Sequence, residues 1–273
     1  MIKVKLAYSE LFNAGDLMNV DIVEKLSGRK VVRSKTFWAE MTAIGGALIG
    51  LQYSEKSGQR MAQHMLSLLY GNKPIYIWGS GFLHDYNNRR FYRNNLQVCA
   101  LRGKKTKEKL ELLTGRKYDV PLADGGLLID KLLEEYPEKK YRIGLIPHMW
   151  HQNESAVKKM ANQDGVHLID IKRTPQEVAY DIAQCNTVVS TSLHGLVFAD
   201  ALHIPNMHVK GEKELRGGNF KYEDYYSSYG IEDCNCVLSE HIPSYEEIID
   251  SYKIDFNEVE KKKKELIECF PKF

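Results

Sequence analysis

The sequence predicts an α/β protein of two Rossmann-like domains facing a cleft. Strand-length apolar runs alternate with helix-length amphipathic segments along the chain. Several runs end in small-residue loops, as at Gly45-Gly46 and Gly79-Ser80-Gly81. Composition shifts around Pro137, and a second strand–helix series starts at Tyr141. The boundary is therefore expected near 137–141, giving domains 1–138 and 139–273. A chain of 273 residues suits two domains of about 100–150 residues each. Its 43 % hydrophobic and 27 % charged residues are globular proportions.

The elements follow in order. Residues 2–8 alternate apolar and polar side chains and read as a first strand. Asn13-Ala14-Gly15-Asp16 is a turn; Asp16 or Asn13 can cap a helix near 17–26, closed by Gly28. Residues 42–49 read as a buried strand broken by Gly45-Gly46, with close backbone approach there. A helix near 58–70, strands at 74–81 and 95–101, and a helix at 104–114 come next. The stretch 116–140 holds a turn and a short helix. In the second series, 141–147 and 166–171 read as strands flanking a helix near 153–162. Thr174-Pro175-Gln176-Glu177 is a capping box with proline at the first helical position, which predicts a helix at 175–184. A strand at 186–191, a helix at 193–202, a short strand at 206–210 and two helical patterns over 245–269 complete the chain. Lys261–Lys264 reads as a solvated helix face; an anionic membrane surface is the minor reading.

Several functional classes are excluded or disfavoured. A net charge of +2 gives no general basic field for nucleic acid. The amino-terminal stretch lacks the apolar core of a leader, and no apolar run approaches the ~20 residues of a membrane span. The expected location is cytoplasmic, at most at the inner face of a membrane. Five scattered cysteines do not suggest a disulfide framework, and Cys234-Asn235-Cys236 has no second pair or histidine cluster to make a metal site. His148 and His151 lack a partner carboxylate pair, so no metal is expected. There is no GxxxxGK[ST] loop, and Gly79-Ser80-Gly81 lacks the third glycine of a dinucleotide fingerprint.

In parallel sheets ligands sit beyond the carboxyl ends of the strands. The loops there carry Asp16, Arg102, His148, His151, Ser190, Ser192 and His194; Lys210, Lys213, Arg216 and Lys221 follow the last short strand. Arginine offers a bidentate fork and lysine a point charge, so this set suits a phosphate or carboxylate. A helix starting after Ser192 adds N–H donors. Each residue also has a plainer reading. His194 could be a packed histidine at a helix start, Asp16 a helix cap, Arg102 a surface pair and Lys221 a lysine lying across aromatics. Phe220, Tyr222, Tyr225 and Tyr226 read as a packed helix face rather than a sugar platform.

Taken together, these segments resemble the polysaccharide pyruvyl transferase family. Asn13-Ala14-Gly15-Asp16 is similar to its N-x-G-D turn, and Gly45-Gly46 to its glycine-rich second loop. Arg102-Gly103 with Thr106 is similar to its R-G-x-x-[ST] element. Leu122–Leu127 resembles its G-D-P-[AG]-L box, with Ala123 for the leading glycine and Gly125 for the proline. Ile146-Pro147-His148 matches an I-P-H strand end, Ser190–Gly195 an S-x-[RS]-x-H-G signature, and Lys221 with Asp224-Tyr225 a K-x-x-D-[YFL] segment. Many members carry arginine where this chain has Ser192, a contact that Arg216 could replace.

The resemblance implies a fold similar to glycosyltransferase B and a ketal pyruvyltransferase. Its donor would be phosphoenolpyruvate, its acceptor two hydroxyls of a sugar or lipid-linked saccharide in a surface-polysaccharide precursor, and phosphate would be released without a cofactor. Arg102, Lys221, Ser192 and Arg216 are then expected to bind donor, His194 and Asp16 to do acid–base work, and Asn13 and His148 to face the acceptor. Domain 1–138 is expected on the acceptor side and 139–273 on the donor side. Proton transfer in this reaction suits a histidine titrating near working pH. A nucleotide-sugar glycosyltransferase of the same architecture and a non-catalytic scaffold are the alternatives.

Overall fold

The computed structural model describes residues 3–9, 13–86, 88–233 and 235–273. Two parallel five-stranded sheets organise it. The first contains β1 (Lys3–Ala7), β2 (Lys30–Arg33), β3 (Met41–Thr42), β4 (Ile75–Ile77) and β5 (Leu96–Val98), with helices α1 (Ala14–Ser27), α2 (Ser57–Tyr70) and α3 (Lys104–Thr114). The second contains β6 (Tyr141–Ile146), β7 (Val166–Leu168), β8 (Cys185–Ser190), β9 (Asn206–Lys210) and β10 (Asn235–Val237). Its helices are α4 (Ser155–Ala161), α5 (Pro175–Ala183), α6 (Leu193–Ala201), α7 (Phe220–Ser227), α8 (Tyr245–Ser251) and α9 (Phe256–Glu268). A 3-10 segment, Gly125–Leu132, lies between the two series.

The two sheets share one topology. The first runs β2-β1-β3-β4-β5, and the second runs β7-β6-β8-β9-β10 when written in the same direction. Each is a doubly wound Rossmann-like arrangement, with its order reversing between the first and third strands. The chain leaving β1 and β3 reaches Asp16 and Gly45, and the chain leaving β6 and β8 reaches His148 and His194. Both switch points are thus furnished with sequence-predicted site residues.

A continuous apolar core joins the halves. It runs from Val4, Met18 and Trp78 through Leu127 to Ile146, Val188 and Leu196. The Ala14 N–H donates to the Ile171 carbonyl at 2.7 Å, tying α1 to the second half. Helix α9 returns to the first, where the Trp78 indole N–H donates to the Leu266 carbonyl at 2.9 Å.

Caps explain the sharpest boundaries. Asn13, rather than Asp16, caps α1: its side chain accepts from the Asp16 N–H, and Gly28 closes the helix in the left-handed region. The Thr174–Glu177 capping box opens α5 as expected.

Other expectations need correction. The strand expected over 42–49 ends at Thr42. Asn19 of α1 binds both the N–H and the carbonyl of Ile44 and so replaces strand pairing, and Gly45 turns the chain at φ 93°. The strands expected at 74–81 and 95–101 shrink to Ile75–Ile77 and Leu96–Val98. Edge strands β2 and β10 were not expected: β2 has no buried side chain, so its sequence lacks a core pattern.

The lysine run is solvated on one side only: Lys261 and Lys264 are exposed as expected. Lys262 and Lys263 are buried; Lys262 donates to the carbonyls of Leu122 and Ser228, and Lys263 to Ala201 and the carboxylates of Asp130 and Glu260. Ile2 of the first expected strand and Cys234 lie outside the described residues; Cys99, Cys185, Cys236 and Cys269 are free thiols. No helix among the described residues is long and apolar enough to cross a membrane.

Candidate active site

His194 opens the first turn of α6, beyond the carboxyl end of β8. Ser190 shapes this entry: its hydroxyl donates to the Ile146 carbonyl at 2.8 Å and accepts the Ser192 N–H at 2.9 Å. Ser192 caps the helix by position alone, because its own side chain makes no capping hydrogen bond.

The His194 ring is bracketed by glycines from three separate segments: the first turn of α1, the loop after β3 and the 3-10 segment. A Cβ on Gly15 would lie 1.9 Å from its Nδ1, one on Gly126 3.4 Å from its Cδ2, and one on Gly45 4.0 Å from its Cε1. Any side chain at Gly15 would displace the ring. The ring's Nε2 is buried and has no hydrogen-bond partner among the described residues. An unpaired buried polar atom is costly in a stable core and marks a group available to a ligand.

Cations surround that ring. Burial pushes the His194 imidazole down to about 3, with Lys221, Arg102 and His148 adding to the effect. His194 is therefore neutral throughout the physiological range, and the expected titration near working pH is not what the free site provides. His148 is likewise pushed down to about 3 by burial, Lys221 and His151. Its Nδ1 accepts the Trp150 N–H at 3.3 Å, leaving the ring proton on Nε2, while its own backbone N–H donates to the Thr191 hydroxyl at 2.7 Å.

Lys221, on the first turn of α7, makes no hydrogen bond or ion pair among the described residues; its Nζ lies 4.9 Å from the centre of the Tyr222 ring. Burial and the Arg102 charge lower it to about 8, against the pull of Asp16. Asp16 is raised to about 6 by burial, with the Asn13 amide and Lys221 acting in the opposite direction. Asn13 both caps α1 and donates through its amide to the Asp16 carboxylate, so it positions Asp16 rather than standing free.

Arg102 is held from the opposite lobe. Its Nε donates to Asp224 Oδ2 at 2.8 Å, and the same carboxylate accepts the Thr106 N–H and hydroxyl, both at 2.7 Å. A Cβ on Gly103 would lie 1.7 Å from the Asp224 carbonyl oxygen, and one on Gly81 2.6 Å from the Arg102 guanidinium carbon. The R-G-x-x-T and K-x-x-D segments therefore interlock through Asp224, which is fully buried.

Asp124 completes the centre. Its Oδ1 accepts the Gly126 N–H at 2.8 Å, while its Oδ2 has no partner among the described residues. Burial raises it to about 6, against the pull of Arg102.

The fold thus gathers Asp16, Arg102, His148, His194 and Lys221 within electrostatic reach of one another. Arg216 does not join them: it is exposed on the loop before α7, and the ring that senses its charge is His84. Asp124 and Asp224 were not singled out from the sequence, although both lie inside the motifs quoted from it. Tyr222, Tyr225 and Tyr226 form the packed helix face expected of them. A cavity of about 690 Å³ opens at the carboxyl ends of β9 and β10, lined by Thr191 and Tyr222 together with His151, Lys210, Lys213 and Asn219.

Residues 24–211 match the polysaccharide pyruvyl transferase family, well over half of the chain. The chain belongs to that family. The matched span carries Arg102, Asp124, His148 and His194, whereas Asp16 and Lys221 lie just outside it and are brought in by the fold. The chain is similar to the uncharacterized protein L143 of Acanthamoeba polyphaga mimivirus, with 31% identity over 168 residues, 59% of this chain and 57% of that one. It is also similar to succinoglycan biosynthesis protein ExoV of Rhizobium meliloti (strain 1021), with 24% identity over 159 residues, 56% of this chain and 46% of that one. The chain spans about half the length of the curated relatives it matches.

Proposed function

We propose that this protein transfers a pyruvyl group from phosphoenolpyruvate to two hydroxyls of a sugar, forming a cyclic ketal and releasing phosphate. The observation that carries this reading is the pair of cations beside His194, one of which, Lys221, has no anionic partner within ion-pairing distance among the described residues. A small dense anion would supply that partner. Family membership selects pyruvyl transfer as the chemistry.

In this reading Arg102 and Lys221 hold the phosphate and carboxylate of the donor, with the α6 amino terminus at Ser192 adding N–H donors. Asp16, raised to about 6, delivers the proton to C3 of the enol, which leaves positive charge at C2. A sugar hydroxyl attacks C2 and gives up its proton to neutral His194. The C2–O bond to phosphate then breaks, phosphate leaves as the dianion with one proton, and the second hydroxyl closes the ring. Two hydroxyl protons are released, one replacing the proton delivered to C3 and one leaving on phosphate, so the sum balances. His148 stands towards the acceptor. The arrangement of the lobes would resemble glycosyltransferase B, with the acceptor, free or lipid-linked, presented from the first lobe. Holding two substrates in register supplies up to ~7–11 kcal/mol of the barrier reduction.

A second reading, nucleotide-sugar transfer, would use the 690 Å³ cavity, which also lies at strand carboxyl ends. One experiment separates the two. Phosphoenolpyruvate should raise the melting temperature and, with a saccharide acceptor, release phosphate, while uridine diphosphate does neither. Stabilisation by uridine diphosphate alone would reverse the assignment.

A further inference from the structure

Helix α2 presents the wrong face to water. A helix lying on a sheet ordinarily turns its polar side outward. Here Met61, Met65, Leu68 and Leu69 point away from the protein and are 64, 60, 72 and 75 % exposed. Spaced i, i+4, i+7 and i+8, they share an arc of about 100°. The side turned to the protein is partly polar: Gln63 accepts the Ser54 N–H at 2.7 Å, and the Ser67 hydroxyl lies 3.2 Å from that of Tyr53. None of the helix's residues is buried.

The charge around this stripe is predominantly basic. The helix contains no Asp or Glu, while Arg60 lies on it and Lys56 and Lys73 flank its ends. Glu55, the nearest acid in sequence, is bound by Arg89 at 2.7 Å. Trp38, 45 % exposed, packs edge-on against Tyr70 at the end of the helix, ring centres 4.6 Å apart. Beside α2 runs a groove of about 610 Å³ lined by Arg60, His64, Arg90 and Phe91. Neither arginine has an ion pair among the described residues.

We propose that α2 docks the protein on an anionic phospholipid bilayer. Met61, Met65, Leu68 and Leu69 enter the boundary between headgroups and acyl chains, Trp38 sits at headgroup level, and Arg60 and Arg90 hold lipid phosphates in the groove. A partner protein or a second copy would cover the apolar stripe equally well; the predominantly basic rim and the two arginines without an ion pair among the described residues select a negatively charged lipid surface. The assignment goes beyond pyruvyl transfer and does not depend on it. It places the first lobe, with α2, against the membrane that would carry a lipid-linked acceptor.

The test is co-sedimentation of the full chain with phosphatidylcholine vesicles, with and without phosphatidylglycerol. Binding is expected only with phosphatidylglycerol, and should weaken at high salt. It should fall at least tenfold in the double variant Met65→Asp/Leu68→Asp and, separately, in Arg60→Glu/Arg90→Glu. Both variants should melt cooperatively and keep the phosphoenolpyruvate thermal shift. Absence of vesicle binding by the unaltered chain, or binding that neither double variant weakens, overturns the proposal. So does a dimer in solution that Met65→Asp/Leu68→Asp dissociates, which would assign the face to a second copy. Vesicle binding without any phosphoenolpyruvate shift would sink the donor reading and leave this one standing.

Discussion

Helix α6 carries two polar side chains with opposite surroundings, one near each end. Asp200, near its carboxyl end, is fully buried and fully satisfied: it accepts from Asn206 Nδ2 at 2.6 Å and from the hydroxyls of Tyr225 and Tyr252 at 2.6 and 2.7 Å. His194, in its first turn, has a buried Nε2 with no partner among the described residues, a cradle of glycines and cations for neighbours. The same apolar helix thus holds one polar group as structure and offers the other to a ligand. Burial alone does not separate the two; the count of satisfied hydrogen bonds does.

The widest separation should come from truncating each group. His194→Ala is expected to lower phosphate release by ~10²–10⁴-fold with little change in melting temperature. Asp200→Ala should do the reverse, costing at least ~1–3 kcal/mol by stranding its donors, with activity per folded molecule preserved. Denaturant titration beside a phosphate-release assay checks both. If the two variants lose activity and stability in the same proportions, the contrast fails.

Asp224 sharpens the same point. Asp224→Ala leaves Arg102 uncompensated in the interior and should cost ~3–5 kcal/mol, as well as misplacing a donor-binding cation. Lys221→Met removes a cation that has no partner among the described residues, so stability should hold or rise while donor affinity falls. Thermal melts with and without phosphoenolpyruvate distinguish these outcomes.

The smallest effects lie in pH dependence. The kcat/KM profile should fall above about 6 as Asp16 loses the proton it delivers, a limb absent from the residual activity of Asp16→Asn, and fall more steeply above about 8 as Lys221 loses its charge. Stability carries a separate signature. The imidazole of His194 binds a proton below about 6.5 in the unfolded chain but only below about 3 when folded. Its contribution to stability is therefore present above 6.5 and lost as pH falls towards 3. His194→Ala should lose less stability than the unaltered chain over that interval.

Much of this was legible in the sequence where a local signal decides the structure. The Thr174–Glu177 capping box, the Gly28 cap and the alternating apolar runs placed helices and strands near their observed positions. Ordered motifs at strand ends located His194, Arg102 and Asp16 before any geometry. What was not legible depended on distant partners. Strand 42–49 was cut short by Asn19, a side chain 25 positions from Ile44. The lysine run looked solvated, yet Val259 and Leu266 define an inward stripe that Lys262 and Lys263 also occupy, with carbonyls from remote loops to receive them. Asp124 and Asp224 lay inside quoted motifs, but their roles depend on Arg102, brought to both by the fold. The depressed pKa of His194 likewise depends on cations that the chain delivers from other segments.

The most direct test is nitrogen-15 NMR of the histidine rings, with the His194 resonance assigned by its loss in His194→Ala. Without donor the His194 ring should stay neutral from pH 8 down to about 4, in keeping with its pKa of about 3. Saturating phosphoenolpyruvate should shift its Nε2 signal and raise its pKa towards neutrality. A His194 signal indifferent to saturating donor would contradict the anion pocket built from Arg102, His194 and Lys221.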